Sequence, residues 1–249
     1  MTLQEKKAYV EQNLHLLPEE EFKIFRKNLA RVFAKNSSCF ETNETITLED
    51  VVSITKGYPV QGIDENLKRK VYNNYRAYRK MVELAEGNNE FNADLIKDLH
   101  EEVLAGFEGG GMYRNTMIHI NGSKYVPCDP IKIYKRMTKY FDEIDFGGMK
   151  GLELVSYAHM QLAKIHPFLD GNGRVGRLVL NFMLIKEGFV PISIPVKRRY
   201  EYIDLLELYK TGTGDEQVDK NNPLPFAEFL EDLVNKEYDR IIELIKRYE

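Results

Sequence analysis

Apolar residues recur every three or four positions along most of this 249-residue chain. That spacing places them on one face of an α-helix and predicts an amphipathic helix wherever it persists. The clearest stripe follows Pro18, and its members are Phe22, Phe25, Leu29, Val32 and Phe33. The pattern predicts an all-α protein in which several helices share a core.

Capping residues predict where individual helices begin and end. Thr47 with Asp50 is typical of a capping box, and Gly57 supplies the following stop. Asp64 and Asn92 have side chains that favour the position just before a helix. Later helices are predicted from Asp129-Pro130, over residues 152–165, 173–186 and 199–210, and from Pro225 to the C-terminus.

The chain is predicted to consist of a small extension on a larger helical core. Residues 1–60 are assigned to an N-terminal helical extension, and residues 61–249 to the core with its C-terminal helix. The polar, glycine-containing stretch 211–222 is predicted to be a surface loop. No internal repeat or low-complexity tract divides the sequence further.

One segment departs from the helical pattern. The β-prone runs 117–120 and 124–126 flank Asn121-Gly122-Ser123. Asn-Gly between such runs predicts a β-hairpin, because type I′ turns need positive φ at both central residues. A single hairpin is too small to form a core sheet, so we interpret it as a flap.

Composition and charge narrow the classes of function. Lys plus Arg number 35 and Asp plus Glu number 39, so the net charge is −4. Such a chain is not typical of a general nucleic-acid binder or of a polybasic membrane anchor. Cys39 and Cys128 are too few for a disulfide framework, which favours a reducing compartment. Because the N-terminus lacks the apolar core of a signal peptide, we expect a cytoplasmic protein with no nucleic-acid or membrane partner.

The candidate chemistry lies in residues 166–177, which read HPFLDGNGRVGR. Proline after His166 ends the preceding helix, since the residue before proline is pushed out of the α region. The Gly171-Asn172-Gly173 turn then opens an apolar helix. Converging backbone N–H groups and the positive end of a helix dipole make such a turn an anion site suited to phosphate.

The charged residues of this segment complete a predicted site for nucleotidyl transfer. Arg174 and Arg177 lie three positions apart, so they share a helix face and can bind successive phosphates. Asp170 offers a hard oxygen ligand for Mg²⁺. His166 can take a proton from an incoming hydroxyl. The same letters fit G-x-G-x-x-G, but a helix rather than a strand precedes them, so we reject a dinucleotide site.

Residues 166–177 resemble the signature of Fic-domain proteins, His-Pro-Phe-x-[Asp/Glu]-Gly-Asn-Gly-Arg-x-x-Arg, at every fixed position. The similarity extends over most of the chain, from about Ser37 to Leu230. It implies a Fic-type helical bundle with one β-hairpin flap. It also implies transfer of AMP from ATP to a hydroxyl side chain of a target protein, which can be the protein itself.

The resemblance implies a role for each matching residue. His166 would be the general base on the target Ser, Thr or Tyr, and Asp170 would hold Mg²⁺. Asn172 and the backbone of Gly171 and Gly173 would bind the α- and β-phosphates of ATP.

Further implied roles fall to two arginines and to the flap. Arg174 and Arg177 would clamp the β- and γ-phosphates, and Phe168 would fix the loop in the core. An extended segment of the target would pair with the flap by adding a strand. The docking residues implied there are Ile118, His119, Ile120, Asn121, Gly122 and Ser123.

An upstream segment resembles the inhibitory helix of the family. Ser37 and Glu41 match its (Ser/Thr)-x-x-x-Glu pattern and lie N-terminal to the core. The resemblance implies that Glu41 pairs with Arg177 and takes the guanidinium that the γ-phosphate needs, while Ser37 anchors the helix. In some members the same glutamate supports removal of AMP by orienting a water, and that activity stays open.

Two other interpretations stay open. The chain could be a non-catalytic module that binds a peptide beside the flap, although the intact set of chemical groups disfavours this. It could also use another donor such as UTP, GTP or a phosphocholine nucleotide, because near Lys210 it differs from relatives that carry an adenine-contacting Asn. The resemblance implies a homodimer as one assembly. The sequence names neither the target protein nor its modified residue.

Overall fold

The computed structural model describes residues 1–40, 45–212 and 221–249 of the chain. The regular secondary structure of these residues is entirely helical, as the apolar pattern predicts. None of the helices in this part of the chain has the length and apolar character that a membrane span requires. The helices are α1 (Leu3–Asn13), α2 (Glu19–Cys39), α3 (Leu48–Lys56), α4 (Glu65–Glu86), α5 (Ala93–Val103), α6 (Ile133–Phe146), α7 (Gly151–Ile165), α8 (Asn172–Lys186), α9 (Arg199–Thr211) and α10 (Leu224–Ile245). Short 3₁₀ turns occupy Leu14–Leu16, Pro130–Lys132 and Val196–Arg198.

Several helix boundaries follow from the caps that the sequence predicts. Asp50 N donates to Thr47 Oγ1 at 3.1 Å and Thr47 N donates to Asp50 Oδ2 at 3.0 Å, which confirms the capping box of α3. Gly57 ends α3 in the left-handed region with φ 78°. The side chains of Asp64 and Asn92 cap α4 and α5. Local hydrogen bonds therefore set these boundaries.

Helix α1 is not predicted by the apolar pattern, because it carries no clear apolar stripe. Its start is nevertheless encoded, since Thr2 and Glu5 form a capping box in which Glu5 N donates to Thr2 Oγ1 at 3.2 Å. Helix α1 packs against α10, and Lys6 Nζ lies 2.7 Å from Asp239 Oδ1. The two ends of the described chain therefore pack together, and the domain boundary at residue 60 stays a prediction.

Helix α8 is the centre of the core. It packs against α4 and α7 and also contacts α2 and α5. Its buried apolar residues lie on all sides of the helix, and they include Val175, Leu178, Val179, Leu180, Phe182 and Leu184. A helix that is apolar all round belongs in a core. The Gly171-Asn172-Gly173 turn at its N-terminus is therefore supported by closely packed neighbours.

The flap, which we define as residues 111–127, contains the predicted turn but no β-strand. Ser123 N donates to Ile120 O at 3.1 Å, and Gly122 has φ 78°. Asn121 keeps a negative φ, so the turn matches type II rather than type I′. Turns of types I and II splay the flanking arms, which explains why no β-ladder forms. The turn is confirmed, and the strand pairing of the predicted hairpin is not.

Two histidines of the helical core are buried in the neutral state. His100 on α5 and His159 on α7 are each 1% exposed. Burial lowers the pKa of both imidazoles from 6.5 to about 4, and a backbone hydrogen bond opposes the shift only in part. Between these two values the unfolded chain binds protons that the folded protein excludes.

The free energy of unfolding should therefore fall as the pH is lowered from 6.5 to about 4. The loss amounts to at most about 3 kcal/mol for each buried histidine. Urea titrations at about pH 7.5 and about pH 5 measure it, because most carboxyl groups stay ionised over that interval.

Two glutamine variants separate the buried histidines from other titrating groups. His159→Gln should lower the urea midpoint at both pH values and shrink the difference between them. His15→Gln, at an exposed position, should leave that difference as in the wild type. An undiminished difference in His159→Gln would contradict the assignment.

Candidate active site

His166 ends α7 in an uncommon backbone conformation. Its φ is 52° and its ψ is 61°, so it lies in the left-handed region rather than in the extended region expected before proline. A non-glycine residue there is strained and needs support from its surroundings. The support comes from Arg114, whose Nε donates to His166 O at 2.8 Å, while Arg114 N donates to Pro167 O at 2.9 Å.

Arg114 also holds both arms of the flap. Its side chain is buried, with Nη1 donating to Thr116 O at 2.9 Å and Nη2 to Cys128 O at 2.6 Å. One guanidinium thus ties the flap to the His166-Pro167 backbone. No spacing rule marks Arg114 in the sequence, because two of its three carbonyl partners lie 14 and 52 positions away.

His100 is the second residue whose importance the sequence does not reveal. Gly111 N donates to its Nδ1 at 3.0 Å, so the proton lies on Nε2, which donates to Asp170 O at 3.0 Å. The imidazole stacks on the Phe168 ring, with centroids 3.7 Å apart and planes 15° apart. His100 therefore fixes the flap and the loop after α7 relative to each other. Phe168 is fully buried, as expected.

The glycine turn is braced by the Asn172 side chain. Phe168 N donates to Asn172 Oδ1 at 2.9 Å, and Asn172 Nδ2 donates to Phe168 O at 2.8 Å. Gly171 has φ 78°, and an added Cβ would lie 3.3 Å from His100 Cδ2. The turn therefore needs glycine there for both conformation and space. The Asn172 side chain serves the loop, which leaves its backbone N–H at the start of α8 for an anion.

Asp170 and Arg174 form an ion pair across this turn. Arg174 Nη2 lies 2.9 Å from Asp170 Oδ2, and Gly171 N donates to Asp170 Oδ1 at 2.6 Å. Burial raises the pKa of Asp170, but the Arg174 charge and these hydrogen bonds outweigh it and hold the pKa below 3.8. The Asp170 side chain is 65% exposed, whereas that of Arg174 is fully buried. The carboxylate therefore presents an accessible negative charge.

Arg177 turns toward the end of α2. Its Nε donates to Ser37 Oγ at 3.0 Å and its Nη2 to Ser37 O at 2.8 Å. The guanidinium carbon lies 5.0 Å from the centre of the Phe40 ring. Ser37 thus binds the arginine directly, a contact beyond the anchoring role implied for it. Glu41, the implied partner of Arg177, lies outside the described residues.

These elements enclose a cavity of about 440 Å³. The predicted site residues that line it are His166, Asp170, Gly171, Asn172, Gly173, Arg177, Ile120, Asn121, Gly122 and Ser123. Arg174, Ile118 and His119 are not among the described residues that line it. The two arginines share the buried side of α8 but have different partners, Asp170 for Arg174 and Ser37 for Arg177, and a clamp of both on one ligand stays a prediction.

The flap is hydrogen-bonded to Glu207 of α9, and this contact closes one side of the cavity. Ser123 Oγ donates to Glu207 Oε2 at 2.5 Å, and Lys124 N donates to Glu207 Oε1 at 2.9 Å. Glu207 lines the same cavity together with Lys210. Burial lowers the pKa of Lys210, and the Glu207 charge opposes this only in part.

The His166 imidazole has the protonation state that a general base needs. Its Nδ1 lies 3.3 Å from Ala163 O, and because a carbonyl only accepts, Nδ1 carries the proton and Nε2 the lone pair. Burial, and after it the charges of Lys210 and Arg114, lower its pKa to about 4, against the Ala163 hydrogen bond. The ring is therefore neutral near pH 7.

His159 lines the same cavity, but internal hydrogen bonds occupy its ring. Its Nδ1 donates to Gly176 O at 2.8 Å, and Tyr202 Oη donates to its Nε2 at 2.9 Å. Both ring nitrogens therefore have partners inside the fold. Within the described part of the chain, no group of three or more His, Cys, Asp or Glu side chains could hold a metal ion.

Comparison with known proteins agrees with this fold and motif. The sequence profile of the Fic/DOC family matches residues 90–184. A curated relative, protein adenylyltransferase Fic of Drosophila grimshawi, is 30% identical over 211 residues, which cover 83% of this chain and 38% of the relative. The chain thus spans only 38% of the length of this relative, and 37% of the length of protein adenylyltransferase Fic of Drosophila persimilis.

Solved structures show the same fold. A Fic domain containing signalling protein from Bacteroides thetaiotaomicron superimposes with a TM-score of 0.82 at 22% identity, covering 98% of this chain and 96% of that one. Fic-1 from C. elegans gives a TM-score of 0.79 at 23% identity, covering 97% of this chain and 70% of that one. The helical arrangement, the signature at residues 166–177 and the family profile lead to one conclusion: the chain contains a domain of the Fic/DOC family at residues 90–184.

Proposed function

We propose that this chain is a protein adenylyltransferase that transfers AMP from ATP to a hydroxyl side chain of a target protein, including itself. The observation that carries the proposal is the neutral His166 imidazole. Its Nδ1 is held by Ala163 O, and the ring lines a cavity together with the Gly171-Asn172-Gly173 turn at the start of α8. A base and an anion site thus share one cavity.

The proposed reaction uses the His166 ring as general base. Nε2 accepts the proton of the target hydroxyl, the hydroxyl oxygen attacks the α-phosphorus of ATP, and the bond to the departing pyrophosphate breaks. The backbone N–H groups of Gly171, Asn172 and Gly173 would bind the α- and β-phosphates. Phosphates held there would stand beside the base, which supplies the positioning that such transfers need.

The two arginines would act in different ways. Arg177 can offer its Nε and Nη2 hydrogens to a γ-phosphate only after it leaves Ser37, because both nitrogens donate to that residue. Arg174 is buried and pairs with Asp170, so it would orient the carboxylate and add positive charge beneath the turn. A clamp by both guanidiniums stays a prediction for the nucleotide-bound protein.

The Asp170 carboxylate fits Mg²⁺. It is exposed, ionised and an oxygen donor, and each oxygen retains a lone pair beyond its one hydrogen bond. Mg²⁺ is usually held by one or two carboxylates, substrate phosphates and waters rather than by a cage of side chains, which matches a single carboxylate beside a phosphate site. A bound ion would neutralise charge on the phosphates.

The same proposal includes restraint by the N-terminal extension, residues 1–60. The contact of Ser37 with Arg177 supports it, because the extension thereby holds a guanidinium that ATP would need. Glu41 would add a carboxylate to this restraint. The removal of AMP through Glu41 and a homodimer are further predictions of the family resemblance.

A different nucleotide donor is the second candidate, and Lys210 is the observation that favours it. This buried lysine lines the cavity with His166. An ammonium group only donates hydrogen bonds, so it suits the carbonyl oxygen of guanine or uracil better than the amino group of adenine. Intact-mass spectrometry of the protein incubated with each nucleoside triphosphate would identify the donor.

The first test is His166→Ala. Transfer of AMP, followed by intact mass, should fall at least about a thousandfold because the general base is lost. Binding of ATP, followed by calorimetry with magnesium, should stay within about threefold because the turn is retained. Persistent transfer in this variant would contradict the role of His166.

The second test is the pH dependence of kcat/KM for ATP, which reports the free enzyme. A base whose pKa is lowered to about 4 stays neutral when the pH falls, so the value should be flat between about pH 7.5 and about pH 6. An ordinary histidine would lose about fourfold over that interval. A half-maximal point near 6.5 would overturn the assigned protonation state.

The third test asks whether the N-terminal extension restrains transfer by holding Arg177 through Ser37. The neighbouring Ser38 supplies a matched control. Ser37→Ala removes one of the two hydrogen bonds that Ser37 accepts from Arg177, so auto-modification should rise up to about tenfold. The neighbouring Ser38, equally buried, accepts instead from Asn74 Nδ2 at 2.8 Å, so Ser38→Ala should show no rise. Glu41→Gly should give the larger increase. An equal response of the two serine variants would refute the restraint.

A further inference from the structure

A second cavity lies on the opposite face of α7. Its volume is about 770 Å³. Tyr157, Gln161 and Lys164 of α7 line it, whereas His159, Ala163 and His166 of the same helix line the candidate active site. Each set is spaced by four and three residues, so each set occupies one face of the helix. We call this second cavity the basic cleft.

The basic cleft concentrates positive charge in a chain whose net charge is −4. Among the described residues that line it, the charged ones are Lys132, Lys135, Arg136, Lys139, Lys164 and Glu143. Glu143 lies 3.7 Å from Lys139. In the described part of the chain, no carboxylate oxygen lies within 4.0 Å of a charged nitrogen of Lys132, Lys135 or Arg136. Among these residues, one wall therefore carries three cations that no described carboxylate pairs with.

This arrangement is unfavourable for the helix that carries it. Four cations lie along one side of α6 and its preceding turn, at spacings of three and four residues, and like charges so spaced destabilise a helix. Three of them stand at the start of α6, whose first turn has no acidic residue, although the helix dipole favours anions there. A charge pattern that costs stability is typical of a binding surface.

The basic cleft is continuous with the flap. Lys164 Nζ lies 5.5 Å from the centre of the Tyr125 ring. Burial raises the pKa of the Tyr125 hydroxyl, and the charge of Arg136 opposes this in part. Tyr125 belongs to the second arm of the flap, beyond the turn at Asn121-Gly122. A polypeptide that runs along the flap therefore reaches the cationic wall of α6.

We propose that the basic cleft binds an acidic segment of the protein substrate beside the hydroxyl that is modified, an inference that rests on the proposed function. The cations span seven residues of helix, or about 10 Å, which matches three to four residues of extended chain at about 3.3 Å each. Tyr209 Oη donates to Gln161 Oε1 at 3.0 Å, which leaves the Gln161 amide hydrogens as donors for a carboxylate.

Peptide binding without nucleotide tests the inference. The probe is a fluorescein-labelled peptide with one serine followed by four glutamates, compared by anisotropy with the same peptide carrying glutamines. Wild-type protein should bind the acidic probe at least about tenfold more tightly at low salt, and the preference should weaken as salt rises. Equal affinity for the two peptides would overturn the proposal.

Charge-reversal variants locate the binding site. Lys135→Glu with Lys139→Glu should lower affinity for the acidic probe at least about tenfold. The control, Lys246→Glu with Arg247→Glu, makes the same change in net charge at exposed positions on the C-terminal end and should change affinity less than about twofold. Equal loss in both variants, or tighter binding of a labelled single-stranded RNA of eight nucleotides, would refute the peptide assignment.

The same variants separate this inference from the proposed function. Transfer of AMP to the protein itself needs the active-site cavity, and residues 135 and 139 do not line it. If peptide binding is selective but no transfer occurs with any nucleotide, the cleft stands and the proposed function fails. If transfer occurs but the acidic probe gains no affinity, the cleft assignment fails alone.

Discussion

The arrangement of the site depends on the buried guanidinium of Arg114. It bonds the carbonyls of His166, Thr116 and Cys128, and its own backbone N–H bonds Pro167 O. Charge-assisted hydrogen bonds of this kind are stronger than neutral ones, which lets them hold His166 in the left-handed conformation. That conformation turns the chain from α7 into the glycine loop, so the base, the turn and the flap share one support.

Much of the helical framework could be predicted from local sequence. Thr47, Asp64 and Asn92 form their caps from hydrogen bonds between neighbours, and a linear sequence records neighbours directly. The end of α7 and the turn after it were equally legible in residues 166–177, because proline disfavours continuation of the helix and glycine permits the positive φ that Gly171 adopts. Helix α1 was not predicted from periodicity, since its stability comes from a cap and from packing on α10.

The partners of the site residues could not be predicted in this way. Spacing places Arg174 and Arg177 on one side of α8, but Asp170 and Ser37 select different directions for them. His100 is separated from Asp170 by 70 positions, so its bridge between Gly111 and Asp170 exists only in the folded chain. The turn type of the flap likewise depends on Asn121, which keeps a negative φ where the hairpin prediction requires a positive one.

Helix α7 links these observations, because it separates two surfaces of different chemistry. The face with His159, Ala163 and His166 adjoins α8, where Asn172 and buried neutral imidazoles keep the cavity well ordered. The other face adjoins the cations of α6, which are exposed and only partly balanced. Catalytic side chains must be positioned to within about half an ångström. Electrostatic attraction of a charged peptide acts over longer distances and tolerates mobile side chains. Under the proposed function, one helix between the two surfaces would let a protein substrate be attracted on one side and aligned on the other.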